Sequence, residues 1–212
     1  MDMRLCGLLA LDLEGILLPE IWIAVAEATG IDQLRLTTRD VADYDELMQM
    51  RLAVLREHRL TLADLQSVIA AMEPLPGAVD FLNWARGRAP VIIITDSFYQ
   101  FVEPFLIKLN YPTVFAHALT VGDDGLLAGY RLRLHHGKRR ALHALAELGF
   151  RTMAVGDSYN DIAMLQAADV GVLFHPPANV KAEYPQFQAF DSYAGLTTAV
   201  SQFLHQQRGM GA

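Results

Sequence analysis

Four short apolar runs that end on polar side chains constrain this chain more than any other feature. Leu5 to Leu11 leads straight into Asp12-Leu13-Glu14-Gly15-Ile16-Leu17; Val91 to Ile94 ends on Thr95-Asp96, and Met153 to Val155 on Gly156-Asp157. Val170 to Phe174 is a fourth run, with a less distinct polar end. Runs this short and apolar read as strands, and helical periodicity fills the intervals between them. Strands alternating with helices build an open α/β sheet, whose ligands bind beyond the carboxyl ends of the strands. Taken alone, Asp12 and Glu14 also suit the end of a strand in a solvated turn. Repetition of the pattern makes the shared rim a candidate site, with Asp12 as its candidate nucleophile.

The chain's 212 residues can bury one full core and leave room for a modest insertion. With 52% hydrophobic and 19% charged residues, a compact soluble protein is expected. A net charge of −7 without a concentrated basic patch argues against nucleic acid as a partner. Cys6 is the one cysteine, so no internal disulfide can form, and its place in the first apolar run predicts burial. Met1-Asp2-Met3-Arg4 lacks the basic start of a secretory signal, and no apolar run reaches the roughly 18 residues of a membrane span. The expected location is the cytoplasm.

Beyond Leu17 the pattern turns helical. Trp22, Val25 and Ala26 recur at helical spacing from Pro19 to Gly30, with Glu20 expected in the first turn, where it also suits the helix dipole. A second helix, Tyr44 to His58, would turn Leu47, Met50, Val54 and Leu55 to one face with Arg51 in their midst. That guanidinium must either reach water or find an anion. A third helix starts near Thr61, whose Thr-x-x-Asp spacing to Asp64 resembles a capping box. Glu73-Pro74-Leu75-Pro76-Gly77 then reads as a boundary. Residues 17–76 are thus expected to be a small helical cap inserted after the first strand of a Rossmann-like open parallel core formed by 1–16 and 77–212.

In the second half, Phe98, Phe101, Val102, Phe105 and Leu109 predict a helix, which puts Ser97 near an N-terminus able to attract phosphate or simply to be capped. Gly122-Asp123-Asp124-Gly125 reads as a turn between two strands. His135 and His136 have no partners at zinc-ligand spacing. Gly137-Lys138-Arg139-Arg140 opens a helix with Leu142, Leu145 and Leu148 toward the core; three cations in its first turn oppose the dipole unless an anion binds nearby. Asp157 and Asp161 bracket a loop as a magnesium site would require. Tyr193 to about Gln207 reads as a final packing helix followed by a fraying end.

Asp-Leu-Glu-Gly at 12–15, a strand ending in Thr95, the later Lys138 and Gly-Asp-Ser-Tyr-Asn-Asp at 156–161 come in the order and at the spacings of the haloacid dehalogenase-like phosphohydrolases, which the chain resembles over nearly its whole length. Within them it is most similar to the phosphoserine phosphatase branch, and there to members that also act as phosphoserine:homoserine phosphotransferases. The stretch Asp-Leu-Glu-Gly-Ile-Leu-Leu-Pro-Glu-Ile-Trp-Ile-Ala, Thr-Asp-Ser-Phe-Tyr and Tyr-Pro-Gln-Phe carry that likeness. Most family members have Asp where this chain has Glu14, and many phosphoserine phosphatases have glycine at the position of Asp96.

The resemblance implies a Mg2+-dependent phosphoserine phosphatase working through an aspartyl-phosphate on Asp12, with possible transfer to homoserine. It implies Glu14 as general acid and base, Lys138 and Thr95 on the phosphoryl oxygens, and Asn160 adding a hydrogen bond. Magnesium would be held by Asp12, the Glu14 carbonyl and Asp157, with Asp161 acting from behind. Arg51 would clamp the substrate carboxylate and Glu20 its amine. Asp96 and Ser97 stay outside the expected catalytic set, because a carboxylate at 96 repels phosphate unless it points away. Two alternatives stand beside this reading: a phosphatase for another small phosphomonoester, and a non-catalytic phospho-ligand binding module.

Overall fold

The computed structural model describes residues 6–37, 40–41 and 43–208. Met1 to Leu5, and the chain end expected to fray, lie outside these residues. The strands are β1 (Cys6–Leu11), β2 (Val91–Phe98), β3 (Thr113–Val121), β4 (Leu127–Arg131), β5 (Phe150–Gly156), β6 (Val170–Phe174) and β7 (Gln188–Phe190). They form one sheet in the order β4-β3-β2-β1-β5-β6-β7. Every neighbouring pair is parallel except β3 and β4, the hairpin around Gly122 to Gly125.

Helices α1 (Ile21–Thr29), α2 (Tyr44–Glu57), α3 (Leu62–Ala71), α4 (Ala78–Arg86), α5 (Tyr99–Val102), α6 (Gly137–Glu147), α7 (Ile162–Ala167), α8 (Ala178–Glu183) and α9 (Tyr193–Arg208) complete the fold. Among the described residues, no helix is long and apolar enough to cross a membrane.

β1 is apolar along its length because both of its faces are covered. Successive side chains of a strand point to opposite faces, so Leu9 and Leu11 enter one core with Phe81 and Leu82 of α4 and Leu196 and Val200 of α9. Leu8 and Ala10 enter the other, against Leu142 and Leu145 of α6 and Ile162 and Leu165 of α7. This double burial explains why the strand reads as a continuous hydrophobic run.

The segment between β1 and α4 is helical, as expected. Its Trp22, Val25, Leu52, Leu55, Leu65 and Ile69 share a core with Leu9 and Leu11. The ends of the segment lie together, since Leu75 N donates to Leu17 O at 2.9 Å, and Tyr193 of α9 ties its first end to the core by donating to Ile16 O at 2.7 Å. The capping box at the start of α3 is present in both directions, with Thr61 and Asp64 each accepting from the other's backbone amide.

Several local expectations are corrected. Cys6 is exposed, because it opens β1 at the rim opposite the site, before the sheet is covered. Met50 is 39% exposed; Met48 and Leu52 share the buried side of α2 with Leu47, Arg51 and Leu55. Leu148 is 75% exposed, since α6 ends at Glu147 and the chain turns away. The helix expected over 98–109 is four residues of α5 and a 3-10 turn at Glu103–Phe105, because Pro104 has no amide to continue an α ladder. Ser97 accordingly lies inside β2 and not at the start of a long helix. Glu20 is the N-cap residue of α1, outside its first turn.

Candidate active site

Parallel pairing of β1 with β2 and β5 places Leu11 opposite Ile93 and Val155. The residues just beyond these three positions, Asp12, Thr95 and Asp157 among them, therefore emerge side by side. Asp12 continues the ladder by donating its amide to Val155 O at 2.9 Å, and its side chain is buried.

Lys138, in the first turn of α6, reaches the same point. Its Nζ stands 2.7 Å from Asp161 Oδ1, 3.0 Å from Asp12 Oδ1 and 3.4 Å from Asp96 Oδ2. Burial disfavours the charge, yet Asp12, Asp161 and Asp96 outweigh it and hold the ammonium well above its ordinary pKa. The cation whose position opposes the helix dipole is thus anchored by three carboxylates. The contact to Asp12 is an ion pair without hydrogen-bond alignment, and Asp12 Oδ1 has no hydrogen-bond partner.

Burial, followed by repulsion from Asp161, drives the Asp12 carboxyl well above the usual carboxylate range, against the pull of Lys138. Asp157 is pushed up to about 7, by burial first and Asp161 second. Asp161 is itself fully engaged: Oδ1 takes the Lys138 bond at 2.7 Å, and Oδ2 accepts from the amides of Asp157 at 2.9 Å and Ser158 at 3.3 Å. Two glycines let these carboxylates converge. Gly15 has φ +76° and a Cβ there would lie 2.6 Å from Asp157 Cγ; one on Gly156 would lie 2.3 Å from Asp161 Cβ.

Asp12, Asp157 and Asp161 bring carboxylate oxygens within 4.8 Å of one another, all buried. Hard oxygen donors at this spacing, one of them without a hydrogen-bond partner, fit a small divalent cation. Asp12 and Asp157 have oxygens to offer it, whereas those of Asp161 are committed to Lys138 and two amides.

Glu14 turns the other way. Its Oε2 accepts from the amide of Ile21 at 2.9 Å, filling the open N-terminus of α1, and Ser97 lines the same cavity. Burial, then the nearby Glu20, raise its pKa to about 7. Arg51 faces it from α2, buried, with Nη2 donating to Leu36 O at 2.8 Å and the guanidinium 4.4 Å from the Trp22 ring centroid. Burial lowers its pKa to about 10 despite Glu14, Tyr44 and Glu20. Arg51 Nε has no hydrogen-bond partner.

All of these groups but Asp161 wall one cavity of about 100 Å³, whose lining includes Asp12, Glu14, Glu20, Arg51, Thr95, Lys138, Asp157 and Asn160. Every residue that the resemblance assigns to the site therefore meets at this cavity except Asp161, which sits behind it. Thr95 is buried, its hydroxyl accepting from the amide of Ser97 at 3.1 Å. Asn160 is held between Ser158 Oγ at 2.6 Å and Asp96 Oδ2 at 3.2 Å.

Two residues set aside on sequence grounds belong to this network. Ser97 lines the cavity with Glu14, and Asp96 points toward Lys138 and not away. Burial opposes its ionisation, but Lys138, Asn160 and His117 hold Asp96 below its usual pKa. His117 and Tyr44, which donates to Asp96 O at 3.0 Å, were not legible as participants, because no local pattern relates them to position 96.

An open sheet that presents a buried carboxylate cluster and a buried lysine at its carboxyl rim is built for chemistry on phosphate esters. The chain belongs to the haloacid dehalogenase-like hydrolases, whose family model matches residues 8–169. It is 51% identical over 186 residues to the phosphoserine phosphatase ThrH of Pseudomonas aeruginosa, covering 88% of this chain and 91% of the relative. A phosphoserine phosphatase of Pseudomonas syringae pv. tomato is 50% identical over 186 residues, covering 88% and 78%. A solved structure described as a substrate-bound phosphoserine phosphatase complex shares the fold, with TM-score 0.72 at 19% identity over 89% of this chain and 94% of that one.

Proposed function

We propose that the chain is a Mg2+-dependent phosphoserine phosphatase that can also pass the phosphoryl group to homoserine. One observation carries the reading: a buried Asp12–Lys138 pair shares a cavity of about 100 Å³ with an arginine that has an unpartnered nitrogen and with the carboxylate of Glu20. The first pair suits the phosphate of phosphoserine, and the second suits its carboxylate and ammonium. The names of the two Pseudomonas relatives support the substrate, and that of ThrH accords with the transferase likeness in the sequence.

In the first step an Asp12 carboxylate oxygen attacks phosphorus while the phosphorus–serine oxygen bond breaks. Glu14, with a pKa of about 7, gives its proton to the leaving oxygen. In the second step Glu14 takes a proton from water, whose oxygen displaces Asp12 and releases inorganic phosphate. The hydroxyl of homoserine entering in place of water would yield phosphohomoserine by the same bond changes. Lys138 and Thr95 hold the phosphoryl oxygens, with Asn160 beside them, and the work is mostly positioning and charge. Asp12, Asp157 and the Glu14 carbonyl would hold Mg2+, which supplies positive charge against the phosphoryl oxygens. Asp161 keeps Lys138 and the 157–158 backbone in place. Residues 17–76 act as the specificity cap, and a cytoplasmic location completes the reading.

The test is phosphate release from L-phosphoserine with Mg2+, run with and without homoserine. Release that vanishes in Asp12→Asn supports the reading, and phosphohomoserine formed at the expense of phosphate supports the transferase. No turnover of phosphoserine beside brisk turnover of another small phosphomonoester would overturn the substrate assignment.

A further inference from the structure

Asp96 sits where its charge is hardest to justify. It adds a third carboxylate around Lys138 on the wall of a cavity built for a phosphate. Every negative group there opposes substrate binding. Its geometry offers a reason. Asp96 Oδ2 lies 3.2 Å from Asn160 Nδ2 and 3.4 Å from Lys138 Nζ. The side chain thereby ties two groups aimed at the phosphate, delivered by α6 and by the turn after β5, to the strand that carries Thr95.

His117, on β3, fixes Asp96 in turn. The backbone amide of Arg133 donates to His117 Nδ1 at 3.2 Å. An amide can only donate, so Nδ1 is the unprotonated nitrogen and the ring proton of neutral His117 is on Nε2. That nitrogen faces Asp96 Oδ1 at 3.7 Å, an electrostatic contact longer than a hydrogen bond. Phe98 and Tyr44 pack against the imidazole, with ring centroids 6.3 and 6.2 Å away, and hold its plane. Beyond Asp96 lies a second cavity of about 690 Å³, also bordered by Lys138, Asn160 and Tyr44. Asp96 therefore borders both spaces, and its carboxylate is positioned by Asn160, Lys138 and His117.

We propose that Asp96 and His117 form a positioning pair: His117, its tautomer set by the Arg133 amide, orients Asp96, which locks Lys138 and Asn160 in register with Thr95 for phosphoryl transfer. In this role neither residue reacts; both act through Lys138 and Asn160. The proposal rests on the phosphatase reading above and adds two residues to it. Its signature is a loss in kcat with little change in KM, because a misplaced ammonium weakens transition-state contacts more than ground-state binding. An error of about 1 Å in such a group can cost on the order of 10²-fold.

The experiment compares wild type, Asp96→Ala, Asp96→Asn, His117→Leu, His117→Gln and the double variants of Asp96→Ala with each His117 change. Each is assayed with Mg2+ on phosphoserine and on p-nitrophenyl phosphate, after circular dichroism and melting have checked the fold. Asp96→Ala and His117→Leu should each lower kcat about tenfold or more with KM within about twofold. Glutamine can place an N–H near the imidazole Nε2 and should recover most of the His117 loss. In the Asp96→Ala background, leucine and glutamine at 117 should be indistinguishable.

Wild-type kcat in both Asp96 variants, a rise in KM alone, or a His117→Leu loss that persists without Asp96 would each overturn the pair. If Asp96→Ala does not fold, Asp96→Asn keeps its volume and carries the same expectation. A wild type inactive on phosphoserine but active on p-nitrophenyl phosphate would sink the substrate reading, and the second substrate would then decide the pair.

Discussion

At the scale of single residues, Gly15 and Arg51 show how closely the cavity is built. Gly15 turns the chain at φ +76° with the Asp157 carboxyl against its α-carbon. Gly15→Ala combines a left-handed alanine, costing about 1–3 kcal/mol, with a clash on a proposed metal ligand. We expect a lower melting temperature together with at least a tenfold loss of phosphatase activity, roughly the effect of a group misplaced by less than 1 Å; a variant as active as wild type would show that Asp157 can yield. Arg51 buries a charge with one nitrogen unpartnered, an arrangement that a carboxylate ligand would complete. Arg51→Ala should raise the KM for phosphoserine by about 10- to 100-fold, the weight of a charge-assisted hydrogen bond. It should leave p-nitrophenyl phosphate, which has no carboxylate, nearly unaffected. Arg51→Lys should not restore binding, because an ammonium lacks the planar fork.

At the scale of elements, local sequence rules succeeded where backbone geometry alone decides. Thr61 and Asp64 cap α3 because the Thr-x-x-Asp spacing sets both partners within one turn. Removing the cap with Thr61→Ala should cost about 1 kcal/mol, read as a melting temperature lower by roughly 2–4 °C. The Thr61 hydroxyl and amide hold Asp64 below its ordinary carboxylate pKa. That contribution is therefore present above the unfolded value and fades as pH falls through the folded one, so wild type and variant should melt closer together in acid. The apolar spacing of 98–109 misled because successive short turns around Pro104 bury the same faces that a continuous helix would. Leu148 misled for a similar reason: the period is right, but α6 stops one residue short of it.

At the scale of the whole molecule, the sheet gathers three carboxylates whose mutual repulsion and burial work against the fold. A divalent cation binding only the folded chain should offset that cost and raise stability by mass action, by roughly 2.7 kcal/mol at a hundred times its dissociation constant. Excess Mg2+ is expected to raise the melting temperature by several degrees, and chelation should reverse the shift and abolish turnover together. In Asp157→Asn the shift should shrink. An unchanged melting curve with and without Mg2+ would argue against the metal site.

Residue order specifies the buried strands, the carboxylates beyond them, the capping box and the helices between β1 and α4, since each follows from periodicity or spacing within one or two turns of chain. Through those strand ends it also delivered Asp12, Thr95 and Asp157 to one rim. Packing between distant elements is what turns Asp96 inward, sets His117 against position 96 and buries Arg51 over Trp22. Those contacts join residues far apart in the chain, Asn160 and Asp96 being 64 positions from one another. A side chain's direction at such a meeting is set by the packing of every element around it, and no local pattern encodes that.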